Sequence, residues 1–128
     1  FGLECLSRGS ENVTFIENYS AVLQILKKNI LNLGYQDKSI VIENNIINNL
    51  NFKIFKKKFD VIFLDPPYKE KGISSILSDI IESNILHNQG VIIIHRHKKE
   101  EEEFPKNFNI VEKKIYGISM VIFGLYFK

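Results

Sequence analysis

The sequence predicts an α/β domain whose sheet is mostly parallel and ends in an antiparallel hairpin. Three observations carry this. Strand-like and helix-like apolar blocks alternate along the 128 residues. One block, residues 59–64 (FDVIFL), is apolar almost throughout, as expected of a central parallel strand buried on both faces. Near the end, two apolar runs are separated only by a tight turn. Alternation of this kind places helices on both faces of a parallel sheet. The length fits one domain, residues 1–128.

The elements follow in order. Residues 1–8 form the end of a helix, which Gly9 stops. Val13–Glu17 is a short β-branched and aromatic run, expected as a strand. A helix begins near Ser20, its expected N-cap, and carries Val22, Leu26, Ile30 and Leu33 at helical spacing up to Gly34. Ser39–Glu43 is the next strand, and residues 46–52 are expected to form a short helix. Strand 59–64 stops at Asp65. Ile73, Ile76, Leu77, Ile80, Ile81 and Ile85 mark the clearest amphipathic helix. Gly90 is expected to close the turn after it, before a buried strand at 91–94. Residues 100–103 are a like-charge run, expected as a solvated surface. Residues 108–115 and 118–127 form the hairpin around Tyr116-Gly117.

Composition narrows the class. Hydrophobic residues make up 45% and charged residues 25%, enough for a packed core and contrary to disorder. A formal charge of +2 does not by itself argue for nucleic acid, although Lys56 to Lys58 and Lys98-Lys99 make local basic clusters. The single cysteine, Cys5, excludes an internal disulfide. No leader opens the chain and no apolar run approaches membrane-spanning length. The expectation is a cytoplasmic monomer with no membrane partner.

In such sheets ligands sit beyond the carboxyl ends of the strands. Glu17, Asn44-Asn45 and Asp65 fall there. The most informative stretch is Asp65-Pro66-Pro67-Tyr68. Two prolines make a stiff segment with no N–H at either position, so their carbonyls are expected to remain free acceptors. A carboxylate and a carbonyl held together can both accept from one amino group. The Tyr68 ring offers a stacking face for the base that carries it. An aromatic amine is a poor nucleophile because its lone pair is delocalised, and holding both its hydrogens turns that pair outward. Orientation of this kind is worth roughly 7–11 kcal/mol in the best intramolecular cases. A plain turn is the bland alternative. The preceding apolar strand in an alternating chain favours the chemical one.

Asp-Pro-Pro-Tyr after an apolar strand resembles the fourth motif of class I amino-methyltransferases acting on nucleic acids. Phe1-Gly2-Leu3-Glu4-Cys5-Leu6-Ser7-Arg8-Gly9 is similar to the stretch after the glycine-rich cofactor loop in RsmD-like 16S rRNA guanine-N2 methyltransferases. Val13–Glu17, Leu33-Gly34 and Tyr116-Gly117 also match that family, so the resemblance covers nearly the whole chain. It implies a Rossmann-like class I methyltransferase sheet, with S-adenosyl-L-methionine as cofactor and ribosomal RNA, in a small-subunit assembly particle or free, as partner.

The resemblance also implies roles. Glu17 would bind the ribose hydroxyls of the cofactor, and Asn45 or its neighbour Asn44 would accept from the adenine amino group. Gly2 would flank the cofactor loop. Asp65, with the Pro66 and Pro67 backbone, would hold the target amine, Asp65 also bordering the cofactor. Tyr68 would stack on the base. Apart from the resemblance, Lys69 and Lys71 directly follow the motif and are placed to meet phosphates, and His95, Arg96 and His97 end a strand on the same edge as candidates to contact RNA phosphate or, for His95, to line the pocket. His95 and His97 share a strand face, but with no cysteine or clear acidic partner nearby no metal is expected. The family's first strand and glycine-rich loop would precede Phe1, so the N-terminus is expected to be cut. DNA adenine-N6 or protein-glutamine methylation is the near alternative, because the same tetrapeptide orients all these amines. An inactive remnant is the alternative from another class.

Overall fold

The computed structural model describes residues 1–46, 50–67 and 72–126. The chain divides into two units, Phe1–Leu50 and Asn51–Lys128.

The first unit contains helix α1 (Gly2–Ser7), strand β1 (Val13–Glu17), helix α2 (Ser20–Leu33) and strand β2 (Ser39–Glu43). β1 and β2 pair in parallel from Val13↔Ser39 to Glu17↔Glu43, which makes α2 the crossover of a βαβ unit. Each helix ends at a glycine in the left-handed region, Gly9 (φ 102) and Gly34 (φ 73). The last turns then close by paired bonds: Ser10 N–H to Cys5 O with Gly9 N–H to Leu6 O, and Tyr35 N–H to Ile30 O with Gly34 N–H to Leu31 O.

The start of α2 departs from expectation. Ser20 is the first helical residue, and Tyr19 holds the cap position without a side-chain bond. Glu17 does the orienting instead. Its Oε1 accepts from the N–H groups of Asn18 at 3.1 Å and Tyr19 at 3.0 Å. A carboxylate near a helix N-terminus is also favoured by the helix dipole.

The second unit contains β3 (Phe59–Leu64), α3 (Ile73–Ser83), β4 (Leu86–His97), β5 (Phe108–Tyr116) and β6 (Ser119–Tyr126). The sheet order is β3-β4-β6-β5, with β3 and β4 parallel and β6 antiparallel to both β4 and β5. The second strand of the hairpin therefore joins the parallel pair. On α3, Ile73, Ile76, Leu77 and Ile80 are buried, as the apolar spacing requires. Complete burial of such a side chain contributes about 1.5–3 kcal/mol. On β4, Ile92 and Ile94 are buried and lie opposite Gly124 and Ile122 of β6. A Cβ on Gly124 would collide with the buried Phe108 ring, so the missing side chain is what admits that ring.

Three expectations are corrected. The buried strand extends over Leu86–His97, well beyond residues 91–94. Gly90 lies inside it rather than in a turn, where the pairing with β3 jumps from Phe59↔Leu86 to Val61↔Val91. The pairing is irregular there, and β4 carries the extra residues. β3 is not buried on both faces: it ends the sheet order, only Leu64 is buried, and Val61 is 47% exposed. The expected helix at 46–52 falls partly outside the described residues. Asn51 is not helical, and a 3-10 turn occupies Phe52–Ile54, with Asn51 Oδ1 accepting from Lys53 N–H at 3.0 Å. No described helix is long and apolar enough to cross a membrane.

Candidate active site

In the first unit, parallel pairing brings Glu17 and Glu43 level at the carboxyl ends of β1 and β2. Asn44 follows at once, and its N–H donates to Glu17 O at 3.0 Å. Glu17 and Asn44 are therefore neighbours, as expected of strand-end residues. Asn44 is exposed and Asn45 half-buried. The two N–H groups on Glu17 Oε1 orient the carboxylate, and its other oxygen is the kind of acceptor that two vicinal hydroxyls require. Gly2 is fixed by packing: a Cβ there would collide with the Phe15 ring and come within 3.0 Å of Val13 Cγ1.

In the second unit, Leu64↔Ile94 is the last parallel pair of β3 and β4. One residue further on each strand stand Asp65 and His95. His95 Nδ1 lies 2.8 Å from Asp65 Oδ1. With a carboxylate as partner, the shared hydrogen sits on Nδ1. His95 was expected as a substrate contact, and its bond to Asp65 adds a role: it fixes one oxygen of the carboxylate.

Arg96, expected from its place at the strand end to contact RNA phosphate, is instead turned inward and proves central. It is 1% exposed. Its Nε donates to Glu102 Oε1 at 2.6 Å, and its Nη1 donates to the carbonyl of Pro67 at 3.0 Å. Two expectations change. The acidic run at 100–103 is not simply solvated, because the Glu102 side chain is only 9% exposed. Nor are both proline carbonyls free, because Pro67 O is taken. Pro66 is buried between two exposed neighbours, Asp65 and Pro67. The signal was present in strand parity. Arg96 shares its face with Ile92 and Ile94, and a buried guanidinium demands a carboxylate.

Neighbouring strand residues face opposite sides, so His95 and Arg96 reach the motif from the two faces of the sheet. One holds Asp65 and the other holds Pro67. The two contacts bracket Pro66, on a segment that has no proline N–H to offer. Tyr68, Lys69 and Lys71, also expected at the site, lie outside the described residues.

Residues 1–125 match the family model described as Conserved hypothetical protein 95. The chain belongs to this family. It is the RsmD family, and the relatives agree with that. Ribosomal RNA small subunit methyltransferase D of Haemophilus influenzae is 32% identical over 118 residues, covering 91% of this chain and 61% of the relative. A protein of the same name from Buchnera aphidicola (subsp. Acyrthosiphon pisum) is 31% identical over 114 residues, covering 89% and 59%. The curated relatives that this RsmD-family chain matches are longer than it is: it spans 46% to 66% of their length.

Among solved structures, HI0767 of Haemophilus influenzae, a candidate methylase, superposes with a TM-score of 0.83 at 28% identity, over 99% of this chain and 80% of that one. TrmN from Thermus thermophilus superposes with a TM-score of 0.72 at 16% identity, over 97% of this chain and 39% of that one, a likeness of fold alone. The fold class is that of the class I methyltransferases, α/β with a mostly parallel sheet and antiparallel strands at its end.

Proposed function

We propose that this chain is the catalytic part of an S-adenosylmethionine-dependent methyltransferase that methylates the N2 amino group of a guanine in small-subunit ribosomal RNA. The reading is carried by the two-sided hold on Asp65-Pro66-Pro67 by His95 and Arg96. The names of the relatives, which are small-subunit rRNA methyltransferases, support the substrate class.

Residue by residue, the Asp65 carboxylate accepts one hydrogen of the target amine and Pro66 O accepts the other. Both N–H bonds are then fixed, and the nitrogen lone pair points away from the corner. When bound, S-adenosylmethionine supplies an electrophilic sulfonium methyl. Asp65 is also a base within hydrogen-bond reach of the amine it holds, able to take the proton that the methylated nitrogen sheds. Glu17 fits the cofactor's ribose through the carboxylate oxygen not used by Asn18 and Tyr19, and Asn44 and Asn45 stand next to it to accept from the adenine amine. Tyr68 stacks on the base, and Lys69 and Lys71 meet phosphates. The partner is the RNA, free or in an assembly particle, and the compartment is the cytoplasm.

The test is transfer from labelled S-adenosylmethionine by the full-length protein that carries this chain. Unmodified small-subunit RNA, small-subunit assembly intermediates, duplex DNA and a glutamine-bearing release factor are offered in parallel. Label recovered as N2-methylguanine supports the reading. Label in adenine N6 or glutamine replaces it with the near alternative. No cofactor binding by calorimetry and no transfer to any acceptor would mark an inactive remnant.

A further inference from the structure

We infer that Arg96 and Glu102 form a buried positioning pair that sets the rate of methyl transfer by fixing the Pro66-Pro67 corner. The inference rests on the proposed reading of Asp65-Pro66-Pro67 as the element that orients the amine.

The physical problem is that the corner cannot hold itself. Two consecutive prolines have no N–H, so no backbone donor of theirs can tie the segment down. Only their carbonyls offer handles, and one of these is needed for the substrate. Arg96 takes the other. Its guanidinium is a rigid planar fork, and here the fork is split: Nε goes to Glu102 Oε1 at 2.6 Å and Nη1 to Pro67 O at 3.0 Å. Glu102 thus sets the plane of the guanidinium, and the guanidinium sets the height of Pro67 O. Pro66, one peptide away, inherits the placement.

Glu102 is itself held in place by the segment joining β4 and β5. Lys98 N–H donates to Ile118 O at 2.8 Å and Glu100 N–H to His97 O at 3.0 Å at its beginning. Phe108 N–H donates to Pro105 O at 2.9 Å, and the Phe104 and Phe108 rings lie 5.2 Å apart at its end. The pair therefore transmits the position of that segment to the corner. Burial adds to the argument. A buried ion pair is weak evidence of stabilisation, since an apolar pair of similar volume often serves stability as well or better. Placing Arg96 1% exposed and Glu102 9% exposed has a use if the Pro67 carbonyl needs a donor from inside the sheet.

The test separates stability from positioning. In the full-length protein, the double substitution R96M/E102L replaces the pair by apolar side chains. The melting temperature is expected to stay the same or rise, KM for S-adenosylmethionine to stay within twofold, and kcat to fall by about 10²-fold. R96K keeps the charge facing Glu102 but offers one point of donation instead of a fork. It is expected to keep the fold and lose about tenfold in kcat. Wild-type kcat in the double variant overturns the inference, and if that variant does not fold, wild-type kcat in R96K does so. A wild-type protein with no transfer to any amine would instead sink the proposed function, and it is recognised before any variant is made.

Discussion

His95 and Arg96 leave β4 on opposite faces, and between them they hold both ends of Asp65-Pro66-Pro67: His95 Nδ1 is 2.8 Å from Asp65 Oδ1, and Arg96 Nη1 is 3.0 Å from Pro67 O. The two grips differ in kind. Asp65 is 52% exposed and His95 26%, so their pair is solvated, whereas the guanidinium is enclosed. Solvated pairs contribute about 0–1 kcal/mol to stability. The value of the His95 grip must therefore lie in orientation.

His95→Ala is accordingly expected to leave the melting curve within about 1 kcal/mol of wild type. It frees the Asp65 carboxylate to rotate, and transfer should fall by about 10- to 100-fold, since small misplacements of a reacting group are that costly. His95→Asn places an amide N–H near the position of Nδ1 and should recover part of the loss. Equal activity in the alanine and asparagine variants would mean that the bond to Asp65 is incidental. Single-turnover rates and thermal melts decide it.

Asp65→Ala removes an exposed side chain at a strand end, so stability should change by no more than about 0.5 kcal/mol. Transfer should fall by about 10²- to 10³-fold, the usual cost of deleting one preorganised polar partner. Retained transfer would place the chemistry elsewhere. A circular dichroism melt alongside the assay guards against unfolding.

The residues also show how far the sequence was legible. Asp65 was readable because an apolar run followed by two prolines permits little but a strand end and a stiff exit. The helix at Ile73–Ser83 was readable because its buried residues repeat at 3.6-residue spacing. The start of β4 was not. Its first residues, Leu86-His87-Asn88-Gln89, are polar apart from the leucine, and Gly90 has the look of a turn. Only the register jump opposite Phe59 and Val61 makes them strand. The inward role of Arg96 and its pairing with Glu102 were missed for a related reason. A charged residue at a strand end reads as a contact for RNA phosphate by its chemistry, whereas its parity with Ile92 and Ile94 places it in the interior. Partner choice across six residues depends on how the connecting segment folds back, which no local pattern encodes.

Gly124→Val tests the packing of the hairpin against β4. The position is buried, and a Cβ would collide with the Phe108 ring. Overpacking of this kind costs typically about 1–3 kcal/mol. Chemical denaturation of the variant should show that loss, and the double variant Gly124→Val with Phe108→Ala should recover some of it by vacating the ring's place. Additive losses in the double variant would mean that the two residues do not share space.

Glu17 joins the fold of the first unit to its proposed chemistry, and two substitutions should separate the two. Its Oε1 accepts from Asn18 and Tyr19 N–H groups at the entrance to α2. Glu17→Gln keeps an amide oxygen for that task but turns the other oxygen into a donor. The melting curve should then stay near wild type, while the Kd for S-adenosylmethionine rises by about tenfold or more, because a hydrogen bond to a charged group is worth about 1.5–3 kcal/mol. Glu17→Ala loses both. It should weaken cofactor binding similarly and also destabilise the fold by about 1 kcal/mol, the typical cost of losing a side-chain acceptor at a helix start. Calorimetric titration and thermal melts of the full-length protein measure the two effects. If Glu17→Gln binds the cofactor as wild type does, the carboxylate serves only the helix entrance, and the ribose contact must come from another residue.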